Sequence, residues 1–237
     1  MTTKILFVHL ASPTYTQIED EMADANHASY GLADGNESSP TVSTTLQRGE
    51  RKYNVKSGMC LPLGITYISA ALKKEFPDLE YFISDYVAEQ DSIPEHKTVD
   101  DWILSVAEES MTETPDIVAI SLMFSTAHKF CKHVIAVYKR LWPKATIVVG
   151  GIHATNCTEY MLNTIPEVDY VFRGESEVAM VKFVQNFIEN KPQSIQGVYD
   201  KNSVSDFSKL CEIPQELDEL PRHNFQLLNS SERKSLA

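Results

Sequence analysis

The chain has 237 residues, 43% of them hydrophobic, which suits one sizeable domain core and argues against wholesale disorder. Its net charge of −12 at pH 7, with no dense Lys/Arg run, argues against a nucleic-acid-binding surface. Four scattered cysteines (Cys60, Cys131, Cys157 and Cys211) include no CxxC pair and suggest no disulfide framework, so a reducing, cytoplasmic compartment is expected.

The first apolar run, Ile5-Leu6-Phe7-Val8, reads as a strand buried on both faces, and it ends near Leu10. That is too short for a signal peptide or a membrane span, so no membrane association is expected. Residues 13–57 form a polar stretch without sustained periodicity, either a functional lid or a disordered insertion. Order returns at Leu61-Pro62-Leu63-Gly64, where Pro62 suits a helix start. Ile65, Ile68, Leu72 and Phe76 follow at helical spacing until Pro77. A second strand spans 79–83, with Asp85 beyond its end. Residues 99–109 read as an amphipathic helix with Trp102, Ile103 and Val106 inward. Residues 117–122 form a third strand, and a helix over 126–141 carries Phe130, Val134, Val137 and Leu141 on one stripe. The fourth strand, 145–149, is broken by Gly150-Gly151, and a short helix follows over 156–163. The fifth strand spans 168–172. The last helix, 175–189, presents Val178, Val181, Val184, Phe187 and Ile188, and a final short strand signal lies at 195–199.

Strict alternation of strands and helices predicts an α/β fold, doubly wound, with a mostly parallel five-stranded flavodoxin-like (Rossmann-like) sheet in the order 2-1-3-4-5 and helices on both faces. The domain is expected to occupy residues 1–200, followed by a tail over 201–237. In such a sheet, ligands bind at the carboxyl ends of the strands where the order reverses. That rule selects His9, Leu10, Ala11 and Ser12; Ser121 to Thr126; Gly150 to His153; and Arg173 to Ser176. Gly150-Gly151 is either an ordinary turn or a place where another group approaches the backbone closely. Among the hydroxyls, Ser125 is expected to cap the following helix.

Several chemistries find no support. GxGxxG and GxxxxGK[ST] are both absent, which argues against a dinucleotide enzyme or a phosphate-loop ATPase. No GxSxG elbow occurs. His128, Cys131 and His133 share a helix but not a face, and His153 with Cys157 would supply only two metal ligands. Glu175 and Glu177 suit a helix N-terminus without any catalytic role.

The ordered series Lys4-Ile5-Leu6-Phe7-Val8, Leu61-Pro62-Leu63-Gly64-Ile65-Thr66-Tyr67, Pro115-Asp116-Ile117-Val118-Ala119-Ile120-Ser121, Val148-Val149-Gly150-Gly151-Ile152-His153-Ala154-Thr155 and Val168-Asp169-Tyr170-Val171-Phe172-Arg173-Gly174-Glu175-Ser176-Glu177 resembles the N-terminal cobalamin-binding domain of cobalamin-dependent radical SAM enzymes. Leu217-Asp218-Glu219-Leu220-Pro221 resembles the family's linker into the radical SAM domain. The resemblance implies a corrin above the C-terminal edge of the sheet, with its nucleotide tail reaching into the domain. Carried over by position, the cofactor-binding residues are Leu10, Ser12, Leu63, Gly64, Ser121, Met123, Phe124, Ser125, Gly150, Gly151, Ile152, His153, Gly174 and Glu175. No catalytic residue and no protein metal ligand is assigned.

Two departures qualify what is carried over. The DxHxxG motif that gives cobalt a histidine in other cobalamin proteins is absent, which implies a base-off cobalamin without a histidine ligand, His9 or an insertion histidine being the alternative. The CxxxCxxC motif is also absent, so the iron–sulfur cluster and S-adenosylmethionine would belong to a radical SAM domain elsewhere, in the same full-length chain or in trans. The expectation is an excised cofactor-binding half of a transferase-like enzyme. A free-standing cobalamin carrier or sensor and an unrelated flavodoxin-like ligand-binding domain are the competing readings.

Overall fold

A computed structural model describes residues 2–10, 44–48, 51–55, 61–89, 98–203, 207–214, 218 and 220–228. The main sheet contains β1 (Lys4–His9), β4 (Glu80–Asp85), β5 (Ile117–Ser121), β6 (Thr146–Gly150), β7 (Tyr170–Phe172) and β8 (Val198–Tyr199). Their order is β4-β1-β5-β6-β7-β8. The first five are parallel, in the order expected from the alternation of elements. The sheet differs from a five-stranded one by β8, two residues long and antiparallel to β7.

Alternation along the strands divides the core. Ile5 and Phe7 of β1 face one side with Ile117, Ala119, Val148 and Phe172. On that side they meet α1 (Leu63–Glu75) and α6 (Glu177–Ile188). Leu6, Val8, Val118, Ile120, Ile147 and Val149 face the other side. There they pack on α2 (Val99–Ser110), α3 (His128–Leu141) and α5 (Thr158–Thr164). Period-2 residues therefore bury both faces of one sheet, as continuous apolar strands require. Trp102, Phe130 and Tyr86 interlock as edge-on and stacked rings with centroids 5.2–5.6 Å apart. Such pairs add to what burial alone contributes. The α2 start is fixed by Thr98, whose hydroxyl accepts the Asp101 N–H at 3.1 Å.

Three local readings differ. The stretch from 13 to 57 is not wholly irregular: β2 (Thr44–Arg48) and β3 (Arg51–Val55) pair as an antiparallel hairpin. Mixed polar and β-branched residues gave that pair no clean period-2 signal. The helix read over 156–163 is two helices, α4 (Ile152–Asn156), which begins directly after Gly151, and α5, with Cys157 at φ −124° and ψ 30° breaking the run between them. Along α6, the buried positions are Ala179, Met180, Phe183 and Val184, while Ile188 is exposed. Choosing only the β-branched and large residues shifted the predicted stripe around the helix.

Described residues after 200 pack back on the α1/α6 side at two places. Cys211 and Leu227 are buried there. The Cys211 N–H donates to the Arg173 carbonyl at 2.7 Å, and the Asn224 N–H donates to the Thr66 carbonyl at 3.1 Å. Among the described residues, no helix is long and apolar enough to cross a membrane.

Candidate functional site

Because β1 lies between β4 and β5, the connections leaving it diverge, and a crevice opens at the carboxyl ends of the strands. A cavity of about 420 Å³ occupies that position, on the α1/α6 side of the sheet. Phe7, Ala119, Val148 and Phe172 form its apolar floor. Ile65 and Ile68 line it from α1 and Met180 from α6. The volume falls within the usual range for small-molecule sites.

Of the residues selected from sequence, Gly64, Ser121, Met123, Gly150, Gly151, Ile152, Gly174 and Glu175 line this cavity. Leu63 and Phe124 do not line it but stand exposed at the same edge, at 47% and 49%, beside Met123 at 42% and Ile152 at 60%. Exposed apolar side chains from the loop after β5 and from the first residues of α1 and α4 thus share the edge of the crevice, a pattern that marks a contact surface. Leu10 is turned away and buried in the core on the opposite face. Ser12 lies outside the described residues.

The two paired glycines have different causes. Gly151 has φ +106°, and a Cβ there would stand 2.6 Å from the Leu122 carbonyl oxygen. Its identity is set by the turn, in which the His153 N–H donates to that same carbonyl at 3.2 Å. Gly150 has no positive φ, and a Cβ there would meet only Phe172 and Ser176 at ordinary contact distance. Gly64 is more open still: among the described residues, nothing beyond its chain neighbours and its own helix backbone lies within 4 Å of its would-be Cβ. Protein packing therefore explains Gly151, leaves open space beside Gly64, and would admit a Cβ at Gly150 in ordinary contact with its neighbours. Gly174, at φ +98°, lies under Leu210 of the tail.

Ser125 and His153 stand apart from the cavity lining. The Ser125 hydroxyl does not cap the following helix; it lies 2.9 Å from His153 Nδ1. His153 Nε2 is in turn 3.1 Å from His128 Nδ1. His153 is buried, and both of its ring nitrogens are bonded. Burial holds both imidazoles below the ordinary histidine range, helped at His128 by the neighbouring His153 and Lys132. The sequence paired His128 with Cys131 and His133 along its helix, and His153 with Cys157. The His128–His153 contact joins residues 25 positions apart and had no local signal. His133 instead bonds Asp100, and Arg140 bonds the same carboxylate.

His9 Nδ1 lies 3.0 Å from Asp85 Oδ1, which also accepts the Ala88 N–H at 3.1 Å. Arg173 organises the far rim: Nε donates to the Thr155 carbonyl and a terminal nitrogen donates to the Ser208 carbonyl, each at 3.0 Å. The Gly174 N–H donates to the Thr155 hydroxyl at 2.9 Å. Glu177 was read from sequence only as a helix-start acid, yet it lines the cavity. Burial raises its carboxyl above the ordinary range, and Glu175 adds to the effect. No Lys or Arg is among the described cavity-lining residues, and two carboxylates are. A multiply charged phosphate ligand would find poor electrostatic complement there. Among the described residues, no group of three or more His, Cys, Asp or Glu is placed to hold a metal ion.

Comparison with known proteins agrees with this geometry. The model of the B12 binding domain matches residues 55–184. The anaerobic magnesium-protoporphyrin IX monomethyl ester cyclase of Cereibacter sphaeroides is 28% identical over 145 residues, covering 58% of this chain and 21% of that protein. An uncharacterized methyltransferase of Pyrococcus horikoshii is 25% identical over 179 residues, covering 73% of this chain and 35% of that protein. The solved structure of the cobalamin-dependent S-adenosylmethionine radical enzyme OxsB with aqua-cobalamin bound superposes with a TM-score of 0.58 at 13% identity, covering 98% of this chain and 25% of that one. The chain thus spans about a fifth to a third of the curated relatives it matches. With a doubly wound sheet, a crevice at its strand ends and a family match over more than half its length, the chain belongs to the B12-binding domain family.

Proposed function

We propose that the chain is the cobalamin-holding part of a cobalamin-dependent radical SAM enzyme, and that its ligand is a base-off cobalamin whose nucleotide tail enters the cavity between the sheet, α1 and α6. The observation that carries this reading is an apolar cavity of about 420 Å³ at the strand ends, lined by Gly150 and by Gly64 with open space beside it. Met123, Phe124, Ile152 and Leu63 would support the apolar body of the corrin, and Ser121, Ser125, Thr155 and Asn156 would meet its polar periphery. Bound cobalamin supplies the cobalt chemistry, typically carriage of a methyl group. The protein's own residues bind, orient and shield it. His153 is a poor cobalt ligand, because Ser125 and His128 already take both ring nitrogens. That arrangement supports the base-off state without a histidine ligand.

Iron–sulfur and S-adenosylmethionine chemistry, and any transferase activity, belong in this reading to a radical SAM domain in the full-length chain or in trans. The short coverage of the relatives supports that assignment. Free Cys131, Cys157 and Cys211 suit a reducing, cytoplasmic setting. The test is to mix the purified chain with hydroxocobalamin, desalt it and record the visible spectrum. About one equivalent of retained corrinoid with base-off bands is the expected result; a colourless protein under both aerobic and anaerobic conditions refutes the reading for this chain.

A further inference from the structure

We propose that His153 and His128 are positioning residues for a corrinoid side-chain carboxamide, holding the Ser125 hydroxyl at the edge of the crevice and setting whether it donates or accepts. This inference deepens the cobalamin reading and rests on it. Ser125 is exposed, directly follows the exposed Phe124, and bonds His153, which bonds His128.

A neutral imidazole has one donor and one acceptor nitrogen, so the three groups have two proton arrangements. In the first, Ser125 donates to His153 Nδ1, His153 Nε2–H donates to His128 Nδ1, and the hydroxyl offers only lone pairs to a ligand. In the second every bond reverses, and the hydroxyl hydrogen is released to donate outward. A carboxamide presents both a carbonyl and an N–H, so it can satisfy either arrangement.

One added proton removes the choice. Placed on His128 or on His153, it leaves His153 Nδ1–H donating to the Ser125 oxygen, and Ser125 then faces the ligand as a donor. An imidazolium donating to that oxygen also strengthens the outward O–H bond. His128 is half-buried and is the pair's route to solvent protons. The groups facing the pair are Ser125 before α3, Lys132 on α3 and the Tyr160 ring on α5, 5.1 Å from the His128 ring. Burial, then the neighbouring His153 and Lys132, hold His128 below the ordinary histidine value of 6.5, so the added proton arrives on the acid side of it.

The experiment measures dissociation constants of hydroxocobalamin and of cobinamide, which lacks the nucleotide tail, for the wild type, Ser125→Ala and His128→Gln between pH 5 and 8. Ser125→Ala is expected to weaken both corrinoids about 3- to 10-fold at pH 8. Its penalty should grow several-fold at pH 5.5, and His128→Gln should flatten that growth. An unchanged affinity in Ser125→Ala, or a penalty independent of pH, overturns the proposal. Histidine ¹⁵N shifts of the ligand-free protein give an independent readout: the two rings should titrate as a coupled pair, and Ser125→Ala should alter their tautomers. Independent titration, insensitive to Ser125, also overturns it. If the wild type binds no corrinoid at all while the rings are coupled, the cobalamin reading fails instead. If it binds cobinamide as tightly as cobalamin, only the placement of the tail fails.

Discussion

Gly64 and Gly150 allow the claim of ligand space to be tested against the protein's own stability. Gly64 is the second residue of α1 and lacks a positive φ, so glycine there costs helix stability without any conformational need. With nothing among the described residues outside its own helix backbone and chain neighbours within 4 Å of its would-be Cβ, Gly64→Ala should stabilise the ligand-free chain by about 0.5–1 kcal/mol. For a domain this size that is a rise in Tm of roughly 1–4 °C. Gly150→Val should be tolerated by the fold, because its Cβ meets Phe172 and Ser176 only at 3.7 and 3.8 Å and valine suits a strand. Its added methyl groups would nevertheless stand in the cavity that Gly150 lines. If a ligand fills that space, the overpacking costs about 1–3 kcal/mol, or roughly 5- to 150-fold in affinity. Calorimetric melting without ligand and equilibrium binding of hydroxocobalamin read the two quantities separately. A fall in Tm for Gly64→Ala would mean that the space beside α1 is filled by protein, and wild-type affinity in Gly150→Val would mean that the ligand lies elsewhere.

Three further outcomes follow from the same geometry. Gly151→Ala should lower stability by about 2 kcal/mol or more, since its φ of +106° and the Leu122 carbonyl both forbid a side chain; denaturant unfolding would show it, and a wild-type midpoint would refute the account of the turn. The depressed His128 and His153 pKa values mean that the unfolded chain binds more protons near pH 6 than the folded one. Their contribution to stability is therefore present above about pH 6.5 and lost as pH falls, and His128→Gln should shallow the acid limb of a Tm-versus-pH curve. Glu177 has the opposite sign: its raised pKa gives stability that is present below the unfolded value of 4.5 and lost as pH rises through the folded value. Glu177→Gln should raise Tm at pH 7 and leave it nearly unchanged at pH 4.

The parallel sheet was legible because each strand is a short apolar run flanked by punctuation. Thr114-Pro115-Asp116 precedes β5, and Pro143 follows α3. The carboxyl-end rule then picked out residues that line the rim of the cavity, since strand ends are visible in a sequence. Less visible was the floor. Phe7, Ala119 and Val148 alternate with Leu6, Val118 and Val149 in uniformly apolar strands, and nothing local says which face carries a cavity rather than closed packing. That distinction depends on how closely α1 and α6 approach the sheet, a property of neither helix alone.

The glycines show why a residue type at a strand end cannot be assigned a role without its surroundings. Gly150-Gly151 offered two explanations, a turn or close approach by another group, and the turn accounts for Gly151 alone. Gly151 would drive a Cβ into the Leu122 backbone and needs its positive φ, so it would be glycine in an empty protein. Gly150, one residue earlier, would tolerate a Cβ as far as the protein is concerned. The same division separates Gly64 from Gly174, which has a positive φ and the tail's Leu210 packed 3.3 Å from its would-be Cβ. A glycine without a positive φ and without a crowding neighbour is not explained by the packing around its would-be Cβ, and Gly64 and Gly150, which line one apolar cavity, are both of that kind.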